Sequence, residues 1–360
     1  MRIAFLGLGH MGLPMARNLV AAGHDVVGFD VFPAARDAAR ESGLAVAESA
    51  TDAVRGVPAP AVVPELVEGS QPHPVSEPHP VPELVEGSKP HPLPEPHPVP
   101  ERHPVPELVV GSPSAEVVIT MFQTGRQVLD AYRGVDGAEG LLAAAVPGTL
   151  FIDSSTIAVD EARAAAALAA AAGHRALDAP VSGGVVGAEN ATLAFMVGGA
   201  AEDFEAARPV LEAMGRRVVH CGDAGLGQAA KVCNNMILAV SQIAVAEAFV
   251  LGERLGLSHQ ALFDVASNAS GQCWALTTNC PVPGPVPTSP ANRDYQPGFA
   301  GSLMSKDLGL AEQALDLTGV GARMGRLARE IYQEFADGPG ARQDFSGIIH
   351  TIRADSAAPA

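Results

Sequence analysis

Three glycines near the amino terminus restrict the fold of this chain more than any other feature of its sequence. The apolar run of residues 2–6 is too short for a helix and leads into Gly7, Gly9 and Gly12, after which residues 13–22 have helical spacing. The first glycine permits a tight turn, the second lets a ligand approach the backbone, and the third lets helix pack on strand. The pattern predicts a strand, a glycine turn and a helix whose N-terminus faces an anion.

A carboxylate follows at the distance typical of dinucleotide-binding domains. A second predicted strand, residues 25–29, ends at Asp30, eighteen residues after Gly12. A carboxylate there accepts hydrogen bonds from the adenosine ribose and repels a 2′-phosphate, which favours NAD over NADP. The alternative is that Asp30 caps a helix ahead of Pro33. The cofactor-binding residues predicted from the glycine turn and the second strand are Gly7, Leu8, Gly9, His10, Met11, Gly12 and Asp30.

Apolar runs and helical segments continue to alternate along the next part of the chain. Further strands are predicted at residues 44–47, 115–121, 149–153 and 175–178, with an alanine-rich helix at residues 160–172. Alternation of this kind predicts an α/β fold of the Rossmann type, with a doubly wound parallel sheet.

Residues 57–114 interrupt this alternation with a different composition. They hold 17 of the 30 prolines and five of the 11 histidines, and the sequence of residues 63–70 recurs at 81–88 and, with one change, at 105–112. Proline at this density forbids helix, so we interpret the segment as a low-complexity, disordered insertion. The alternatives are a docking segment or a metal-binding tract formed by its histidines, which are His73, His79, His91, His97 and His103.

Charge and cysteine usage exclude several classes of protein. The formal net charge of −17 argues against nucleic acid or an anionic membrane surface as the main partner. The four cysteines form no C-x-x-C pair, which argues against a zinc site or a disulfide framework. The long apolar run of residues 236–251 is interrupted by polar residues and is interpreted as a buried helix. We expect a cytoplasmic protein without a metal site.

Lysine is rare enough in this chain to be informative. There are 20 arginines and three lysines, and only Lys231 and Lys306 lie outside residues 57–114. A desolvated lysine can titrate into the working range and act as an acid or base, whereas arginine cannot. Asn235 follows Lys231 by four residues, so both share one helix face and can bracket one oxygen atom. A solvated lysine at a helix start is the alternative.

Two further segments have the chemistry of an anion-binding site. Asp178 ends a predicted strand and is followed by Ser182, Gly183 and Gly184, whose hydroxyl and backbone N–H groups suit a substrate carboxylate. A plain turn would look similar. Lys306 is a second cation on a helix, which either neutralises an anionic ligand or pairs with a neighbour through Asp307.

Together these residues resemble the β-hydroxyacid dehydrogenases, and within them the 3-hydroxyisobutyrate branch. The matching segments cover nearly the whole chain outside the insertion, and they are residues 7–16, 153–157, 178–184, 227–235 and 302–310. Within the family, residues 271–274, 280–285, 293–295 and 344–347 resemble the 3-hydroxyisobutyrate branch. The resemblance implies a Rossmann domain over residues 1–224 and an all-α domain over residues 225–353, joined by a long interdomain helix, in a homodimer or homotetramer.

The same resemblance implies a reaction and the roles of individual residues. It implies NAD-dependent oxidation of 3-hydroxyisobutyrate to methylmalonate semialdehyde, a step of valine breakdown. Lys231 would be the general acid/base and Asn235 would hold the reacting oxygen. Ser182, Gly183 and Gly184 would hold the carboxylate, and Trp274 would line the pocket for the methyl group. The cofactor would also meet Phe122, Gln123, Thr156 and Lys306.

One departure and several alternatives stand beside this prediction. The family usually has Leu-Pro where this chain has Phe122-Gln123, and we expect this change to loosen the loop that borders the cofactor. The alternatives are a sister enzyme acting on tartronate or succinate semialdehyde, and a non-catalytic cofactor-binding scaffold that docks through the insertion. An imine reductase is a weaker alternative, because a different residue is expected at position 231.

Overall fold

The computed structural model describes residues 1–57 and 114–356. Its strands are β1 (Arg2–Leu6), β2 (Asp25–Phe29), β3 (Ala45–Val46), β4 (Val117–Thr120), β5 (Leu150–Asp153), β6 (Arg175–Asp178), β7 (Val181–Ser182), β8 (Leu193–Gly198) and β9 (Gly215–Gly222). The helices between them are α1 (Gly12–Ala21), α2 (Pro33–Glu41), α3 (Ala50–Arg55), α4 (Gly125–Arg133), α5 (Leu141–Ala144), α6 (Val159–Ala171), α7 (Gly184–Glu189) and α8 (Ala201–Glu212).

The strands form one sheet whose first six members are parallel. Their spatial order is β3-β2-β1-β4-β5-β6, the order of a doubly wound dinucleotide-binding fold. β8 then pairs antiparallel with both β6 and β7, and β9 pairs parallel with β8. The predicted Rossmann-type parallel sheet is therefore confirmed, and a smaller mixed extension continues it at one edge.

Strand β1 shows why such a short segment can organise the sheet. Its residues 3–6 are at most 1% exposed, and alternate side chains enter different cores. Ile3 and Phe5 pack on the side of α1, α7 and α8, whereas Ala4 and Leu6 pack on the side of α3, α4 and α6. A strand covered on both faces is apolar throughout, as expected in a parallel sheet between two helix layers.

The predicted strands and the alanine-rich helix differ from the observed ones by at most two residues at each end, whereas the helix predicted at residues 236–251 belongs to a longer one, Leu226–Arg254. Strands β2 and β6 have the predicted bounds, whereas the third strand contains only residues 45–46 and the fourth only residues 117–120. The alanine-rich helix begins at residue 159 and ends at residue 171. The predicted insertion is residues 57–114, of which residues 58–113, with all five of its histidines, lie outside the described residues.

The last part of the chain is helical, as predicted for an all-α second region. It consists of α9 (Leu226–Arg254), α10 (His259–Ala266), α11 (Trp274–Thr277), α12 (Gly301–Thr318), α13 (Arg323–Asp337) and α14 (Ile348–Asp355), with 3₁₀ turns at Pro290–Arg293, Pro339–Arg342 and Phe345–Gly347. The predicted domain boundary between residues 224 and 225 stays a prediction.

Helix α9 joins the sheet to the helical region. Its 29 residues are long and apolar enough to cross a membrane, a test that the core helices of soluble proteins also pass. Here it packs against β8 at one end and against α12, α13 and α14 along its length. This packing agrees with the prediction of a buried helix and brings residues of α9 and α12 to the carboxyl ends of the strands.

Candidate active site

The glycine turn has the shape that a dinucleotide requires. Gly7 has φ +97°, and a Cβ there would lie 2.3 Å from the Met121 carbonyl oxygen. A Cβ on Gly12 would lie 1.8 Å from the Gly7 carbonyl oxygen, whereas a Cβ on Gly9 would have no neighbour within 4 Å. The first and third glycines are therefore required by packing. The second leaves open backbone of the kind that a pyrophosphate approaches.

The other predicted residues of this turn differ in exposure. Leu8 is buried, Met11 is half-buried and His10 is exposed. The backbone of the turn is bonded to the end of the next strand, because Gly7 N–H donates to the Phe29 carbonyl oxygen at 2.9 Å and Leu8 N–H donates to Asp30 Oδ2 at 2.7 Å. The turn is thus tied to the end of β2.

Asp30 occupies the end of β2, where its carboxylate accepts two backbone hydrogen bonds. Its second oxygen, Oδ1, accepts from Phe32 N–H at 2.8 Å. Helix α2 begins at Pro33 without a side-chain cap, so Asp30 does not cap it. A carboxylate oxygen can accept more than one hydrogen bond, so both oxygens can still accept from ribose hydroxyls. Arg36 contacts the Asp30 carbonyl oxygen, with Nη1 at 2.6 Å.

The Phe122-Gln123 loop is held firmly, and the expected loosening is not seen. Phe122 N–H donates to Ser155 Oγ at 2.8 Å, and Gln123 N–H donates to Gln127 Oε1 at 3.0 Å. Gln127 also forms a capping box with Thr124 at the start of α4. The N–H groups of this loop therefore have partners within the protein, and its contact with a cofactor stays a prediction.

Lys231 and Asn235 are both buried on the face of α9 that meets the sheet and α12. Lys231 is 7% exposed and Asn235 is 2% exposed. Lys231 Nζ donates to the Val181 carbonyl oxygen at 2.8 Å. Asn235 Nδ2 donates to Asp307 Oδ2 at 2.6 Å, and its Oδ1 accepts from Asn234 Nδ2 at 3.0 Å. The alternative of a solvated lysine at a helix start does not fit this burial.

The surroundings of Lys231 favour its neutral form. Burial lowers the pKa of Lys231, the Asp307 carboxylate opposes that shift, and the Lys306 ammonium adds to it. A lysine amine with a lowered pKa can accept a proton near neutral pH. The chemistry that this arrangement permits is proton transfer at Nζ.

The Ser182–Gly184 segment directly follows Val181, whose carbonyl oxygen accepts the hydrogen bond from Lys231. Gly183 has φ +131° and Gly184 has φ +61°, and a Cβ on Gly184 would lie 2.9 Å from the Gly298 carbonyl oxygen. Glycine is thus required at both positions. The structure brings this segment next to the lysine, as the sequence predicted.

Trp274 lies at the surface of the helical region. It begins α11 and is 52% exposed. In the part of the chain that the structure describes, no hydrogen bond or ring contact joins it to α9. Its place beside a substrate stays a prediction.

Thr156 and Lys306 lie together at the carboxyl end of β5. Lys306 Nζ donates to the Thr156 carbonyl oxygen at 2.7 Å and lies 3.9 Å from Asp307 Oδ1. The predicted pairing with Asp307 is present, whereas the neutralisation of an anionic ligand by Lys306 stays a prediction. Lys306 also lines a cleft. That cleft has a volume of about 540 Å³ and is bordered by Thr156, Glu161 and Arg329 as well.

Two residues that the sequence prediction missed hold the start of α9 in place. Asp178 Oδ1 accepts from Gly225 N–H at 2.7 Å, and its Oδ2 accepts from Gln228 N–H at 2.9 Å. The side chain of Gln228, fully buried, donates to the Ser155 carbonyl oxygen at 2.7 Å and accepts from Ile157 N–H at 3.2 Å. Gln228 precedes Lys231 by three residues, and this helical spacing could have indicated it.

Comparison with known proteins agrees with this geometry. Residues 2–77 and 102–222 match the family described as the NAD-binding domain of 6-phosphogluconate dehydrogenase. Residues 225–352 match the family described as NAD-binding of NADP-dependent 3-hydroxyisobutyrate dehydrogenase. A probable 3-hydroxyisobutyrate dehydrogenase of Mycobacterium tuberculosis is 51% identical over 352 residues, which cover 98% of each chain. This chain belongs to the 3-hydroxyisobutyrate dehydrogenase family.

Two further relatives illustrate the range of this family. An NAD-dependent L-serine dehydrogenase of Pseudomonas aeruginosa is 40% identical over 96% of each chain. A solved structure of Mycobacterium tuberculosis 3-hydroxyisobutyrate dehydrogenase with L-serine is 50% identical, with a TM-score of 0.78, and covers 98% of this chain and 99% of its own. The protein is therefore an NAD-binding oxidoreductase of the 3-hydroxyisobutyrate dehydrogenase family, which acts on small hydroxy acids.

Proposed function

We propose that this protein oxidises 3-hydroxyisobutyrate to methylmalonate semialdehyde with NAD, as a step of valine breakdown. The observation that carries the proposal is the buried Lys231, whose Nζ lies 2.8 Å from the carbonyl oxygen of Val181, directly before Ser182. The proposed proton acceptor and the segment proposed to bind the carboxylate are thus neighbours. In a short hydroxy acid the hydroxyl and the carboxylate are close together, so one molecule can contact Lys231 and the Ser182–Gly184 segment at once.

Lys231 is proposed as the general acid/base. In the oxidation its neutral amine takes the proton of the substrate C3 hydroxyl at Nζ, and burial favours the neutral form that this step needs. Asn235 is proposed to hold the same oxygen, since one N–H of its amide nitrogen is used by Asp307 and the other can face the substrate. The two residues lie four positions apart on one face of α9, so one oxygen can meet both.

The substrate carboxylate is assigned to Ser182, Gly183 and Gly184. Their hydroxyl and backbone N–H groups can donate to its oxygens, and their left-handed glycine conformations turn the chain tightly after β7. Trp274 is proposed to contact the methyl group of the substrate. These contacts orient C3 and its hydroxyl relative to Lys231.

The cofactor is proposed to lie along the carboxyl ends of β1, β2, β4 and β5. Gly7, Leu8, Gly9, His10, Met11 and Gly12 would surround its pyrophosphate, and Asp30 its adenosine ribose. Phe122, Gln123, Thr156 and Lys306 would border its nicotinamide half. NAD, when bound, accepts the hydride that leaves C3 of the substrate. Lys306 also lies at this edge, where burial lowers its pKa and the carboxylates of Asp307, Asp153 and Glu161 oppose that shift.

L-serine is a second candidate substrate, because one relative of this chain is an NAD-dependent L-serine dehydrogenase. Serine differs from 3-hydroxyisobutyrate in carrying an ammonium group in place of the methyl group. Tartronate and succinate semialdehyde remain the alternatives predicted from the sequence, as does docking through the insertion. The cytoplasmic location and the homodimer or homotetramer also stay predictions.

The test is NADH formation at alkaline pH with NAD and L-3-hydroxyisobutyrate, beside L-serine, glycerate and 4-hydroxybutyrate. The expected result is a kcat/KM for 3-hydroxyisobutyrate at least ~10-fold above that for the other acids, because pocket contacts to one small group discriminate by this order. Lys231→Ala is the matched blank and should bind NADH while losing turnover. A higher kcat/KM for L-serine would replace the proposed substrate, and turnover that survives in Lys231→Ala would contradict the proposed base.

A further inference from the structure

Asp307 is a buried carboxylate that lies among the groups proposed to carry out the reaction. It belongs to α12, is 4% exposed, and accepts a hydrogen bond of 2.6 Å from Asn235 Nδ2. Its other oxygen lies 3.9 Å from Lys306 Nζ. A buried carboxylate is costly unless hydrogen bonds and opposite charges surround it, and here both are present. Neither motif spacing nor the family roles described above assign a task to this residue.

The hydrogen bond from Asn235 fixes the orientation of its amide. Burial raises the pKa of Asp307, and the Lys231 and Lys306 side chains and the hydrogen bond from Asn235 oppose that shift. The structure places the amide nitrogen of Asn235 against Asp307 Oδ2, which accepts its hydrogen bond. The amide oxygen is then free to accept from Asn234 Nδ2, as observed at 3.0 Å. The second N–H of Asn235 is the group left to meet a substrate oxygen. Loss of Asp307 would let the Asn235 amide rotate, so that its oxygen instead of its N–H faces the substrate oxygen.

The charge of Asp307 also acts on Lys231. Among the described residues, the charged groups that influence Lys231 are Asp307 and Lys306, both on α12, and β7 contributes the uncharged Val181 carbonyl. Burial and Lys306 lower the pKa of Lys231, whereas Asp307 raises it. The carboxylate thus opposes the other two influences and keeps the protonated amine accessible. A residue that must both take up and return a proton needs both forms.

We propose that Asp307 is a positioning residue that orients the Asn235 amide and places a carboxylate on the side of α9 that carries Lys231. This inference rests on the proposed function of Lys231 and Asn235. It assigns Asp307 no contact with substrate or cofactor. Its role is exerted on the two side chains that face the reacting oxygen.

The first test is a direct titration of Lys231 in Asp307→Asn. The chain has only three lysines, Lys89, Lys231 and Lys306, so protein labelled with ε-¹³C-lysine gives one signal from each, and Lys231→Met assigns the signal. Asparagine keeps an acceptor for Asn235 but loses the charge. We expect the Lys231 midpoint to fall by about one pH unit, the order expected for loss of a nearby opposite charge. An unchanged midpoint would overturn the proposal.

The second test uses turnover and separates charge from orientation. Oxidation needs neutral Lys231, so the rising limb of kcat/KM against pH should move to lower pH in Asp307→Asn by the same amount. Asp307→Ala removes the acceptor as well, and we expect kcat to fall about 100-fold, as for a misplaced catalytic group. Asp307→Glu restores the charge on a longer side chain, so its Lys231 midpoint should be that of the natural protein while its kcat is reduced.

Asp344→Asn is the matched control. Asp344 is 1% exposed, lies in the same helical region, and accepts from an amide, Asn279 Nδ2, at 3.0 Å. A Lys231 midpoint that moves as far in Asp344→Asn as in Asp307→Asn would attribute the effect to general loosening and overturn the proposal. Absence of turnover on every hydroxy acid would defeat the proposed function, whereas the lysine titration would still decide the charge effect of Asp307.

Discussion

The two halves of α9 differ in whether their buried polar side chains have hydrogen-bond partners. In residues 226–240, Gln228, Lys231 and Asn235 are buried, and each donates a hydrogen bond to a named partner outside the helix. In residues 241–254, the helix packs into an apolar core around Phe249, and both polar atoms of the fully buried Gln242 lack a partner. The difference shows that the first half fixes its buried polar side chains by hydrogen bonds, whereas the second half is held by apolar packing.

The largest effect on stability is expected in the second half. Phe249 is 1% exposed, and Phe249→Ala would leave a cavity, with an expected loss of about 3–5 kcal/mol in the free energy of unfolding. Leu251 lies on the same half but is 60% exposed, so Leu251→Ala should cost less than about 0.5 kcal/mol. Urea denaturation of both variants measures the difference. Equal losses would show that this half is not a packing element.

A smaller loss, accompanied by a loss of activity, is expected in the first half. Gln228→Met would leave the Ser155 carbonyl and the Ile157 N–H buried without partners, at a cost of about 1–3 kcal/mol. Thr156 lies between these two residues, so we also expect a higher KM for NAD. The control is Gln260→Met, because Gln260 is exposed and bonds Asp264 on α10. A Gln228→Met protein with unchanged KM would show that the contact serves stability alone.

The smallest effect has the opposite sign. Gln242→Met keeps the length of the side chain and removes two buried polar atoms without partners, so the free energy of unfolding should rise by about 1 kcal/mol. Gln242 has no role in the proposed reaction, and turnover should stay as in the natural protein. A loss of stability on calorimetry would instead indicate that a bound water satisfies this amide, and the contrast between the halves would then disappear.

The sequence predicted those parts of the fold that depend on local patterns. Strands β2 and β6 were placed with their observed bounds, because short apolar runs end there at Asp30 and near Asp178. Strand β7 has only two residues, Val181 and Ser182, which is too few for any periodicity, and its antiparallel pairing with β8 depends on contacts that the local sequence does not specify. The mixed edge of the sheet was therefore missed.

The candidate site likewise has parts that the sequence predicted and parts that it did not. Lys231 and Asn235 were predicted together, because a spacing of four residues puts two side chains on one helix face. The contact of Asn235 with Asp307 joins residues 72 positions apart and arises only when α9 and α12 pack. The loop at Phe122 was expected to loosen, yet Ser155 holds it across 33 residues. The spacing of residues within one segment does not indicate long-range hydrogen bonds of this kind.

The carboxylate of Asp30 has a consequence for the evolution and redesign of cofactor choice. Its Oδ2 accepts the Leu8 N–H and its Oδ1 the Phe32 N–H, so a replacement that lacks both oxygens removes two hydrogen bonds from the glycine turn and the start of α2. The hydrogen bond from Gly7 N–H to the Phe29 carbonyl oxygen, at 2.9 Å, remains between the turn and β2. A substitution aimed at the proposed ribose contact therefore also alters the turn, and a redesign of cofactor choice has to restore that lost support.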